Sequence, residues 1–242
     1  MAGHSRWAQV KHKKAGADAK RSALFSKLTR LITLATREGG PDPAANAKLR
    51  AAIEQARDAG LPKENIERAL ARAAGAADGE APVSREYEAY GPGGSAYLIQ
   101  AVTDSPNRTA GDLKRILADF DGNMADAGSV AWMFERRAVV SFRPAAPEGL
   151  EAATLALIDA GAIDVDADGG MLYASVAPEA AGSFERAAAE RGLAAGRTTL
   201  TMVPRTTVAL GPDDRIRAIA LADTLSSHPD VIAVSTNIQP VP

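Results

Sequence analysis

The strongest constraint on the fold lies in residues 137–204, where strand-like and helix-like segments follow one another in a fixed order. "AVVSFR" is rich in β-branched and aromatic residues and reads as a strand, and "PEGLEAATLALIDAGA" follows as a helix. "IDVD" and "MLYASV" form a hairpin across "ADGG", "PEAAGSFERAAAERG" is a second helix and "TLTMVP" a closing strand. That order is βαββαβ, the ferredoxin-like sandwich. The flanks repeat the theme: "REYEAYG" and "SAYLIQAVT" as strands, "NRTAGDLKRILADF" as a helix and "SVAWMFE" as a strand on one side. On the other side lie "TTVALG" (strand), "PDDRIRAIALADTLSS" (helix) and "VIAVSTN" (strand). Joined across the middle unit, these flanks make a second βαββαβ core with an extra first strand. Two consecutive sandwiches would instead leave the first with one helix over three strands, a less complete core.

Ahead of the sheets, residues 18–75 carry apolar residues at helical spacing. Leu24, Phe25, Leu28, Leu31, Ile32 and Ala35 share one face behind a capping Asp18, and Gly39 and Gly40 stop that helix. Asn46 caps a second helix with Leu49, Ile53 and Ala56 inward, and Pro62 opens a third with Ile66, Ala69 and Leu70. The expectation is therefore an α+β chain. A basic arm and three-helix domain occupy residues 1–79, a discontinuous ferredoxin-like α/β domain residues 80–136 and 205–242, and an inserted ferredoxin-like α/β domain residues 137–204.

Charge is divided along the same lines. The net charge is −2, yet residues 1–77 hold 15 Lys or Arg against 7 acids, while the remainder holds 13 against 23. Such a split points the N-terminal third at a polyanion. The arm "MAGHSRWAQVKHKKAGADAKRSALF" supplies Arg6, Lys11, Lys13, Lys14, Lys20 and Arg21 as phosphate contacts, with Trp7 and His12 as stacking groups. The first helix continues the charge with Lys27, Arg30 and Arg37. In "TDSPNRT", capping by Ser105 or Asn107 accounts for the polar residues but leaves Arg108 over as a second contact. The join "DAGLPKE" has helix-turn-helix spacing, but Lys63, Glu64 and Asn65 at the start of the third helix do not make a base-reading set, so plain helix packing explains it. "YGPGG" lacks the strand-loop-helix setting of a phosphate loop and reads as a tight hairpin, and the alternation of Val130, Trp132 and Phe134 reads as sheet core.

Enzyme classes fare poorly. There is no Cys, and of three His residues two lie in the arm and His228 in the turn "SSHPD", so neither a thiolate or imidazole metal cage nor a Ser-His-Asp array is suggested. "DVDAD" lacks the Glu that completes a calcium loop. No cofactor and no small-molecule substrate are expected. No stretch approaches a membrane span and the basic start has no apolar core behind it, which leads to the expectation of a cytoplasmic protein without membrane contact.

"MAGHSRWAQVKHKKAGADAKR", "REGGPDPAANAKLRAAIEQARDAGLPKENIERAL", "YGPGG", "TDSPNRT" and "GSVAWMFE" occur in this order and together closely resemble the YebC family of bacterial regulators and related mitochondrial translational activators. The resemblance is dense over residues 2–75 and 87–135 and loose from 137 to 204. It implies one helical and two α/β domains and a role in gene expression without catalysis. Some members are labelled DNA-binding transcriptional regulators, and others resemble ribosome-associated factors that ease synthesis of stretches such as consecutive prolines. The implied partner is thus nucleic acid, either rRNA on the ribosome or promoter DNA. An irregular arm containing Gly, Lys and His suits RNA, whose surfaces are recognised by shape and stacking. A third reading is a protein-protein scaffold that recruits partners at its sheet edges.

Overall fold

The computed structural model describes residues 17–75, 82–144 and 149–239. The three expected helices are present as α1 (Ala17–Gly39), α2 (Ala47–Asp58) and α3 (Lys63–Gly75). α1 is already helical at Ala17, so Asp18 lies within the helix rather than ahead of it. Leu28, Ile32 and Ala35 of α1 meet Leu49, Ile53 and Ala56 of α2 and Leu61, Ile66 and Ala69 at α3, each helix burying the apolar stripe of the others. Asn46 joins two helix ends at once. Its Oδ1 accepts the Leu49 N–H at 3.0 Å, and its Nδ2 donates to the carbonyls of Ala35 at 2.7 Å and Gly40 at 2.9 Å.

The first sheet contains β1 (Val83–Tyr90), β2 (Ala96–Thr103), β3 (Asn123–Ala125) and β8 (Val231–Thr236) in the order β3-β1-β2-β8, every pairing antiparallel. Central β2 is almost continuously apolar because both of its faces are covered. Tyr97 and Ile99 face Leu113 and Leu117 of α4 (Pro106–Ala118) and Leu221 and Leu225 of α7 (Pro212–Ser227). Ala96 and Leu98 pack on Val130 and Phe134 on the opposite face. "YGPGG" is the tight connection between β1 and β2, as expected, with Gly93 at φ +63°.

The second sheet orders as β5-β6-β4-β7, built from β4 (Phe134–Phe142), β5 (Asp164–Asp168), β6 (Met171–Val176) and β7 (Ala195–Pro204), again all antiparallel. With α5 (Leu150–Asp159) and α6 (Ala181–Glu190) against one face, this is the ferredoxin-like arrangement. Phe142 and Phe184 meet edge to face at its centre, 5.8 Å apart. β8 returns to the first sheet, so the second is inserted in it. Entry and exit are adjacent: Phe134 pairs with Pro204, and the Arg205 N–H donates to the Met133 carbonyl at 2.7 Å.

Two expected strands differ. Residues 131–133 of "SVAWMFE" form a 3-10 turn, and β4 begins only at Phe134. Trp132 is consequently not sheet core but 63 % exposed, while Val130 and Phe134 are buried. The reason is Glu88, whose buried carboxylate accepts the N–H groups of Gly128 at 2.6 Å, Ala131 at 2.8 Å and Val130, curling the chain around itself. Burial alone would raise the Glu88 carboxyl, but the three amides outweigh it and hold it below its ordinary value. "TTVALG" contributes one bridge, Val208 with Ile238, rather than a strand, since the edge beyond β8 offers it no longer ladder.

Candidate nucleic-acid interface

Of the arm residues expected to touch nucleic acid, Arg6, Trp7, Lys11, His12, Lys13 and Lys14 lie outside the described residues, as does the side chain of Lys20. Arg21, Lys27, Arg30 and Arg108 are described and fall into two groups. Arg21 is exposed, with its guanidinium 5.3 Å from the centroid of the Phe25 ring.

Lys27 and Arg30, one helical turn apart on α1, face the second domain. Lys27 Nζ donates to the Ser226 carbonyl, and burial lowers the pKa of its ammonium. Arg30 Nη1 donates to the Pro229 carbonyl at 2.7 Å. These carbonyls lie at the C-terminal end of α7, whose own last turn has no basic residue. Cations are favoured at that negative end of a helix, and here α1 supplies them.

Arg30 Nη1 also stands 2.6 Å from Asp230 Oδ1, an ion pair on a carboxylate that is only 1 % exposed. Asp230 Oδ2 accepts from the Thr109 hydroxyl at 2.7 Å and from Arg108 Nη2 at 3.0 Å, with Thr103 Oγ1 at 3.2 Å. Arg108 is further paired with Asp104 at 2.9 Å. Burial pushes the Asp230 carboxyl up, yet Thr109, Arg108 and Arg30 prevail and hold it below its ordinary value. The structure therefore brings Arg30 and Arg108 together on one buried acid that joins the helical domain to the start of α4 and the end of α7. Neither Ser105 nor Asn107 caps α4 through its side chain; the Ser105 N–H is taken by Thr103 Oγ1 at 2.9 Å. Asp230 has no local sequence signal, since "SSHPD" reads as an ordinary turn.

α1 also forms a cleft of about 970 Å³ with α3, whose rim reaches the second domain at Asp104. Arg21, Arg30, Arg37 and Arg72 line it, with Asp104 as the one acid. Phe25, Leu61 and Ala69 give it apolar walls, and Thr29, Thr33 and Asn65 add polar groups. Arg37 Nε is buried there without a hydrogen-bond partner among the described residues. A concave surface rich in guanidinium groups is suited to bind phosphates. Arg72 carries only a weak sequence signal, one basic residue on a mixed-charge helix, and its place in the same cleft as Arg37 requires the tertiary packing of α3 on α1.

Among the described residues no His, Asp and Glu group is arranged to hold a metal ion, and no helix is long and apolar enough to cross a membrane.

Comparison with known proteins covers nearly the whole chain. Residues 5–76 match the model of the TACO1/YebC protein N-terminal domain, and residues 83–238 that of the TACO1/YebC second and third domain. A probable transcriptional regulatory protein of Kosmotoga olearia is 41 % identical over 99 % of this chain and 94 % of its own length. One of Treponema denticola, named in the same words, is 40 % identical over 99 % and 96 %. The crystal structure of a conserved hypothetical protein from Aquifex aeolicus superposes with a TM-score of 0.83 at 36 % identity, covering 97 % of each chain.

Proposed function

This chain belongs to the TACO1/YebC family, and from that membership and its charge distribution we propose that it is a non-enzymatic, nucleic-acid-binding regulator of gene expression acting in the cytoplasm. The observation that carries the reading is the concentration of positive charge in the helical third, in the arm and on the concave face between α1 and α3. Lys11, Lys13, Lys14, Lys20 and Arg21 contact phosphates, Trp7 and His12 stack, and the acidic α/β domains remain away from the polyanion. Lys27, Arg30 and Arg108 act differently from the arm, fixing the helical domain on the second domain so that the basic surface has a defined orientation.

The preferred target is ribosomal RNA, in the role of a translation factor that eases synthesis of difficult stretches such as consecutive prolines. An irregular basic arm fits irregular RNA, and α3 does not begin like a recognition helix: Lys63 is paired with Glu67 at 3.5 Å. Promoter DNA is the second reading, favoured by the names of the relatives and by the ability of basic arms to enter a minor groove.

The test is sedimentation of lysate through a sucrose gradient at moderate salt, comparing the parent with a variant in which Lys11, Lys13, Lys14 and Lys20 are changed to Glu. Migration of the parent alone with ribosomes, surviving DNase, supports the translation factor. If both remain at the top while only the parent retards a promoter fragment over random DNA, the transcriptional reading replaces it.

A further inference from the structure

We infer that the cleft between α1 and α3 holds the sugar-phosphate backbone of an unpaired RNA strand, with Arg37 and Arg72 on phosphates and the Thr29 and Thr33 oxygens accepting from ribose 2′-hydroxyls. This assignment rests on the nucleic-acid reading above, but it concerns residues outside the arm.

The four arginines of the cleft are not equivalent. Arg21 lies over Phe25, and Arg30 is committed to Asp230 and Pro229. Arg37 and Arg72 have no ion-pair partner among the described residues, and the one acid on the rim, Asp104, is already paired with Arg108. A buried donor without an acceptor is costly, and Arg37 Nε is such a donor. Nε itself is shielded from solvent, so a phosphate in the cleft meets the rest of the half-buried Arg37 guanidinium and the exposed Arg72, forming charge-assisted hydrogen bonds.

The hydroxyls specify the sugar. Thr29 Oγ1 donates its hydrogen to the Phe25 carbonyl at 2.8 Å, and Thr33 Oγ1 donates to Thr29 O at 2.9 Å. Both residues line the cleft, and each hydroxyl, its hydrogen already given to the helix backbone, retains only lone pairs for a ligand. Four residues apart on α1, they form two acceptors separated by about 6 Å of helix rise. The ribose 2′-hydroxyl is a donor that RNA has and DNA lacks. With Thr29, Thr33 and Arg37 on α1 and Arg72 on α3, the cleft carries guanidinium donors on both helices and hydroxyl acceptors on one, a set that a flexible single strand can follow.

The experiment is fluorescence anisotropy titration of the full chain with a labelled, unstructured RNA of about 12 nucleotides and the DNA of the same sequence, at several salt concentrations. The parent is compared with Arg72→Gln, Arg37→Gln/Arg72→Gln, Thr29→Val/Thr33→Val and the arm Lys→Glu variant. Arg72 is exposed, so its substitution leaves the core intact even if Arg37→Gln perturbs folding. The expected result is a loss of affinity of about tenfold for the arginine variants, with the log-log salt slope falling by about 0.7 per lost phosphate contact. The threonine variant weakens RNA several-fold and leaves DNA unchanged. Arginine variants that bind like the parent while the arm variant fails would overturn the cleft assignment and leave the nucleic-acid reading standing. No change in any variant overturns both. Weakening by the arginine changes with an unaltered RNA-to-DNA ratio in the threonine variant overturns the assignment to RNA.

Discussion

Replacing Asp230 by Asn keeps the shape of the buried side chain and deletes its charge. The carboxylate accepts at 2.7 Å from Thr109 and 3.0 Å from Arg108 and stands 2.6 Å from Arg30. An amide offers one acceptor oxygen and turns an N–H₂ group towards one of its former donors. Removing one partner of a fully buried pair costs about 3–5 kcal/mol. The Arg30 side chain is 27 % exposed and that of Arg108 50 %, so both regain water and the cost is lower. We expect about 2–3 kcal/mol, which for a chain of this size lowers the first melting transition by about 5–10 °C. The assay is calorimetry on Asp230→Asn, with Asp121→Asn as a control: Asp121 pairs with Arg217 at the surface, and its loss is worth well under 1 kcal/mol. The pH dependence follows from the direction of the shift. A carboxyl held below its unfolded value leaves the unfolded state binding more protons between the two pKa values, so its contribution is complete above the ordinary carboxylate range. It is lost as pH falls through the depressed folded value, and the gap between parent and variant therefore closes in acid. A melting temperature within about 1 °C of the parent at neutral pH would refute the reasoning that the charge on Asp230 fastens the two domains.

Glu88→Gln substitutes a side-chain nitrogen, which cannot accept, for one carboxylate oxygen facing the loop amides; stability should fall by about 1–2 kcal/mol. Measured in a Trp7→Phe background, where Trp132 is the remaining tryptophan, fluorescence anisotropy should drop as the turn loosens, and an unchanged value would contradict the role given to Glu88. Gly93→Ala combines a positive φ with a methyl 2.6 Å from Leu210 Cδ2, whereas Gly128→Ala meets open space at φ +86°. Denaturation should show Gly93→Ala losing about 1–2 kcal/mol more than Gly128→Ala, and equal losses would refute the packing argument.

What could be read from the chain depended on how local the cause was. Helices α2 and α7 follow from spacing, with Asn46 and Pro212 at their starts, and the βαββαβ order of the insert follows from alternating periodicities. Trp132 was misplaced because the group that curls its loop, Glu88, is about forty residues away on another strand. The convergence of Arg30 and Arg108 on Asp230 was equally invisible, since the contacts span 200 and 122 positions. Arg37 and Arg72 come to line one cleft only when α3 packs on α1.

The insertion also sets a schedule for synthesis. The edge of β2 is closed by β8, and the Ala96 N–H finds its acceptor on Asn237, 141 residues later. At translation rates of about 5–20 residues per second, β2, already paired with β1 on its other side, waits roughly 7–30 s with the ladder groups of this edge unpaired. An open edge of this kind is a template for pairing with another chain. The insert, complete in itself once β7 emerges, can fold during the delay, leaving the second domain, though begun earlier, to finish last.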